Sequence, residues 1–107
     1  MNLTELAGQH LDIARAATSG RSAHTVHGGQ GTRLRQVLIA LAEGRGLDEH
    51  ESPGEATLHV LHGHVRLIVG ATTTDGVAGD LIVIPDARHA LDALADSAVL
   101  LSVAPGV

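Results

Sequence analysis

The sequence predicts an all-β domain, a sandwich or barrel, preceded by one helix. Three observations carry this. Short apolar segments recur along most of the chain, with Gly, Pro and Asp between them. Helical periodicity of apolar residues is confined to the N-terminus. No further helices alternate with the strands, which argues against a parallel α/β sheet.

The helix occupies residues 1–20. Asn2 is placed to cap it, and Glu5 follows three residues on. Leu3, Leu6, His10, Ile13 and Ala17 fall at three- and four-residue steps and predict the buried stripe. Gly20 is the expected stop. The helix is expected to lie against the β domain, which takes up residues 21–107.

Ser22 to Val26 is short and β-capable, and His27-Gly28-Gly29-Gln30-Gly31 reads as a turn. Leu34 to Ala42 is mostly apolar and predicts a strand buried on both faces. Glu43 to Gly46 is a turn. Ala56 to Leu61 and Val65 to Val69 read as a hairpin closed by His62-Gly63-His64, and Asp75-Gly76 as another turn. Leu81 to Ile84 predicts a short buried strand ended by Pro85. Ala90 to Leu94 and Ala98 to Val103 read as a last hairpin turning near Asp96 and Ser97.

Composition narrows the function classes. The 107 residues suit one domain burying about two-thirds of its unfolded surface. Hydrophobic residues make up 44% and charged residues 18%, a balance that argues against disorder. Phe, Trp and Tyr are absent, so the core is Val, Leu, Ile and Ala, and no ring is available for stacking on a ligand. The seven basic residues are all Arg and are scattered, against a formal charge of −5, which removes any basis for nucleic-acid binding. With no Cys, disulfides, Fe–S clusters and thiolate sites are excluded, and a reducing cytoplasm fits. No secretory leader is recognisable, and no apolar run reaches the ~20 residues of a membrane span.

The density of histidine, eight in the chain, marks where chemistry is to be sought. His50 sits between two turn-rich stretches at the entry to a strand pair. His89 follows the turn–strand–stop of Gly79 to Pro85. Both positions are strand ends, and barrel mouths are frequent binding sites. His62 and His64 straddle a Gly that turns the chain, so the same-face logic of His-x-His fails there and an exposed tip is expected. His59 alternates against Leu58 and Val60 and belongs on the opposite face. Gly28 to Gly31 lacks the Lys-Ser/Thr ending of a phosphate loop. Asp80 reads as a turn residue, and Asp48, Glu49 and Glu51 as a solvated acidic cluster.

Two stretches resemble the cupin motifs. The first aligns as Gly44, His50, Ser52, Ala56 and Gly63, and the second as Gly79, Pro85 and His89. The stretches Val60 to Gly63 and Gly79 to Pro85 are the most specific matches, and the resemblance spans residues 34–103. It implies a cupin double-sheet antiparallel β-barrel, jelly-roll-like and often dimeric. It also implies a divalent metal, held in the family by three His and one Glu. Imidazole and carboxylate suit Fe, Mn, Ni, Cu or Zn. In this chain Ser52 and Ala56 stand at two of the four ligand positions, leaving His50 and His89. Gln36, His24 and His27 are the candidates for additional cavity residues.

The functional expectation is a small cytoplasmic cupin, a homodimer, holding a small-molecule ligand or a weakly bound divalent metal near His50 and His89. The alternatives are a metal-dependent enzyme of oxygenase or isomerase type with a rebuilt ligand shell, and a metal-free binding or sensing module. The many His also allow pH sensing.

Overall fold

A computed structural model describes residues 1–52 and 54–105. Among them lie one helix, α1 (Leu3–Ala16), and nine strands: β1 (Arg21–His27), β2 (Arg35–Leu41), β3 (Gly46–His50), β4 (Gly54–His62), β5 (His64–Val69), β6 (Thr72–Val77), β7 (Leu81–Ile84), β8 (His89–Ala93) and β9 (Ser97–Pro105). The strands form a five-stranded sheet in the order β1-β2-β9-β4-β7 and a four-stranded sheet in the order β3-β8-β5-β6. The pairings are antiparallel. Among the described residues no helix is long and apolar enough to cross a membrane.

Period-two alternation builds the core between the sheets. Ala56, Leu58 and Val60 of β4 point inward, as do Ile39 and Leu41 of β2, Val65 and Leu67 of β5, and Leu91 and Ala93 of β8. The other face of β2 carries Leu38 and Ala40, which pack with Ala98 under Ala7, Leu11 and Ala14 of the helix. Strand β2 is therefore buried on both faces, as its apolar run predicts. With no aromatic side chain to fill space, branched aliphatics supply the volume.

The helix begins as expected: the Asn2 side chain accepts from Glu5 N–H at 3.0 Å. Its buried stripe is rotated from the expected one. Ala7, Leu11 and Ala14 are buried, whereas Ile13 is 52% exposed. Alanine allows close approach to the sheet, so the small residues face it and Ile13 is left outside. The helix also ends before Gly20, which instead turns the chain into β1 at φ +68°.

Both expected hairpins are corrected. Strands β4 and β5 lie in different sheets, as do β8 and β9, so each connection is a corner between layers. The two corners meet. The Ser97 hydroxyl accepts from His64 N–H at 3.0 Å and reaches the Ala95 carbonyl at 2.7 Å. Gly63, at φ +86°, lies against Asp96 and Ser97, where a Cβ has no room. Asp75-Gly76 is not a turn but part of β6; the turns flank that strand, at Gly70-Ala71 and Ala78-Gly79. Strand β7 is an edge strand buried on one face only, with Leu81 and Val83 exposed. Pro85 does end it.

Candidate functional site

His50 is the last residue of β3 and His89 the first of β8, and the two are cross-strand partners. A register shift between Leu47 and His50 interrupts the pairing just before them, which re-aims the end of β3 at the rim of the barrel. His89 has the phase of Leu91 and Ala93, so it points inward and is 4% exposed. His50 is exposed. The ring centroids are 4.5 Å apart, with the rings edge-on at 62°.

Each ring is held by the backbone two residues before it. His50 Nδ1 lies 2.9 Å from the Asp48 carbonyl, and His89 Nδ1 lies 2.9 Å from the Ala87 carbonyl. A carbonyl oxygen only accepts, so both Nδ1 atoms carry the proton and donate it. In the neutral rings both Nε2 atoms are then lone-pair donors, the tautomer that a metal ion or a ligand N–H or O–H requires.

The space beside them is small. A cavity of about 30 Å³ is lined by both His and by Ile39, Leu47, Leu58, Leu67, Ile84, Leu91 and Leu101. It admits one or two waters, far below the 300–1,000 Å³ typical of small-molecule sites. The barrel interior is filled with hydrocarbon, and the pair is reached from the mouth. A larger open groove of about 490 Å³ runs along the edges of β6 and β7 and contains neither histidine.

The two substituted positions of the first motif are structural. The Ser52 hydroxyl donates to the Gly54 carbonyl at 2.9 Å. Ala56 is buried with its methyl group in the core. Pro53, between them, lies outside the described residues. The acidic cluster beside His50 is engaged elsewhere: Arg88 binds Glu49 at 3.0 Å and Glu51 at 2.9 Å, both pairs being solvent-exposed. These carboxylates raise the Arg88 pKa, Glu51 most. The clamp straddles the His pair in sequence, and nothing in the spacing announced it. Among the described residues no group of three or more His, Cys, Asp or Glu side chains is arranged to hold a metal ion.

The additional cavity residues expected from the sequence are not at this site. Gln36 alternates with the inward Val37 and Ile39, so it lies on the outer face, where its amide donates to Ser102 Oγ at 3.1 Å. His24 pairs with Leu38 across the β1–β2 ladder and shares that outer face, on the side of the helix. His27 is exposed beyond a bulge at the end of β1. His59 lies on the outer face of β4, as its phase predicts. At the Gly63 corner His62 is exposed, whereas His64 binds Asp75 at 2.9 Å.

No protein-family model and no curated protein matches the chain. Solved structures do. A conserved protein of unknown function from Streptococcus pyogenes is 26% identical, with a TM-score of 0.75, over 85% of this chain and 79% of that one. A cupin superfamily protein from Desulfitobacterium hafniense is 18% identical, with a TM-score of 0.73, over 80% of this chain and 78% of that one. A variant of the salicylate 1,2-dioxygenase of Pseudoaminobacter salicylatoxidans gives 18% identity and a TM-score of 0.78, over 94% of this chain but 34% of the enzyme. The likeness is one of fold, shared by proteins that differ in what they do.

Proposed function

We propose that this chain, which folds as a small cupin domain, is a binding module whose site is the His50–His89 pair at the mouth of its barrel. The observation that carries this reading is the pair of Nδ1–H tethers to Asp48 and Ala87, which leave two Nε2 lone pairs beside one small cavity. Such a pair accepts hydrogen bonds from a small polar ligand, or holds a divalent cation weakly with the rest of the shell supplied by solvent.

A metal centre of three His and one Glu does not fit the residues present. Ser52 is spent on a backbone carbonyl, Ala56 offers a methyl group, Glu49 and Glu51 are paired with Arg88, and among the described residues no group of three or more His, Cys, Asp or Glu is arranged to hold a metal ion. The packed interior likewise favours recognition at the mouth over turnover of an enclosed substrate. A cytoplasmic location and a homodimer belong to the same proposal. The first is supported by a chain without Cys. The second is supported by the free edges of β1, β3, β6 and β7, which pairing would cover.

The test is metal content by elemental analysis of untagged protein purified without chelator, followed by addition of Zn²⁺, Ni²⁺ or Mn²⁺. Weak cation uptake that falls by about one per chain in both His50→Ala and His89→Ala supports the reading. Tight, near-stoichiometric metal that survives gel filtration would overturn it in favour of a metalloenzyme with a rebuilt shell.

A further inference from the structure

A second pair of imidazoles, one half-buried and one exposed, lies on the helix-covered face of the five-stranded sheet. His10, on α1, and His24, on β1, have ring centroids 5.2 Å apart at an interplanar angle of 33°. His10 Nδ1 lies 2.6 Å from the Ser22 hydroxyl, one alternate position along the same strand as His24. Ser22 and His24 share the face toward the helix, because their ladder partners Ala40 and Leu38 lie in the cluster under it. The pairing of the two rings is thus a product of the helix docking on the edge strand.

The separation has chemical content. A first-row cation about 2.0–2.1 Å from an imidazole nitrogen lies about 3.2 Å from that ring's centroid. Two imidazoles on one tetrahedral cation therefore stand about 5.2 Å apart, centroid to centroid. The Ser22 hydroxyl accepts from Nδ1–H in the tautomer that frees His10 Nε2, the outer hydrogen bond that orients a ligating histidine. His24 is exposed on an edge strand, so it turns without disturbing the core.

We propose that His10 and His24 form a surface site for a divalent cation of the Zn²⁺ or Cu²⁺ class, oriented by Ser22, which ties α1 to β1. This site is independent of the one at the barrel mouth. It has two nitrogen ligands from protein and open positions for water or for a donor group of a partner. The helix meets the sheet through Ala7, Leu11 and Ala14 on Leu38, Ala40 and Ala98, and a cation bridging His10 and His24 adds a polar fastening at the edge of that apolar contact.

The experiment uses untagged, full-length protein in which His50→Ala and His89→Gln disable the mouth while the buried volume at residue 89 is retained. Calorimetric titration with Zn²⁺ is expected to give about one site per chain in this background. His24→Ala is expected to weaken it by more than about tenfold, and Ser22→Ala by about tenfold. His10→Gln, which keeps a helix-compatible side chain, is expected to match His24→Ala. With Cu²⁺, paramagnetic resonance is expected to show coupling to two imidazole nitrogens, and to one in His24→Ala. Zn²⁺ affinity unchanged by His24→Ala and His10→Gln, or no Zn²⁺ uptake in the background, would overturn the proposal. Neither outcome bears on the mouth, whose own variants report on it separately.

Discussion

His50 and His89 are cross-strand partners with rings 4.5 Å apart, yet one is exposed and the other is 4% exposed. The asymmetry separates their roles in stability. Inward-pointing His89 fills core space beside Leu91, so His89→Ala is expected to cost about 2 kcal/mol through the cavity it leaves. His50→Ala removes a rim side chain and is expected to cost less than about 0.5 kcal/mol. Urea unfolding of the two variants checks both values.

The corner between β4 and β5 makes a sharper demand on one residue. Gly63 combines a positive φ with backbone contact to Asp96 and Ser97. Gly63→Ala is expected to destabilise the domain by about 2 kcal/mol or more, through strain and through parting of the two corners. Gly8 is the control: nothing lies near a Cβ built there. Gly8→Ala is expected to stabilise by about 0.5–1 kcal/mol through helix propensity. Thermal unfolding of the pair should move in opposite directions.

Acid sensitivity is expected at Asp75. Its carboxyl is hydrogen-bonded by Arg66 first and by His64 second, which lowers its pKa from 3.8 to about 2. The folded value is depressed, so the stability it contributes is present above pH 3.8 and is lost as pH falls through about 2. Melting temperatures of the parent and of Asp75→Asn, followed from pH 5 to pH 2, should converge at the acid end. Parallel curves would show that ionisation of Asp75 adds no stability to the fold.

Much of the architecture was legible because burial leaves a mark on composition. Strand β2 announced itself by an unbroken apolar run, and Leu38 and Ile39 are indeed buried on opposite faces. Asn2 and Glu5 signalled the helix start. What the sequence hid was partnership. A tight Gly turn looks the same whether it joins paired strands or carries the chain between sheets, so in sequence Gly63 and Ser97 have the signature of hairpin tips. Thr72 to Val77 lacks apolar alternation, and Asp75-Gly76 imitates a turn, so β6 leaves no strand signal in the sequence. Gly46 to His50 is mostly polar, which concealed β3.

At the site, the resemblance singled out His50 and His89, and the ladder places them opposite each other. Of the further cavity residues, Gln36 failed on phase: it sits on β2, whose other face is the core, and one residue of alternation decides between cavity and exterior. His24 and His27 failed on position: β1 is an edge strand whose other face is exposed, so neither phase would bring them to the cavity. The pairing of His10 with His24 depends on how a helix docks on a sheet, which no local pattern encodes.

The most direct check on the paired imidazoles is nitrogen-15 NMR of the histidine side chains during a Zn²⁺ titration near pH 7.5. The expected result is that His50 and His89 both start as Nδ1–H tautomers and that their Nε2 resonances shift together over the same range of Zn²⁺. If either ring starts as the Nε2–H tautomer, or if Zn²⁺ moves other histidines while leaving these two unchanged, the mouth of the barrel is not the cation site described.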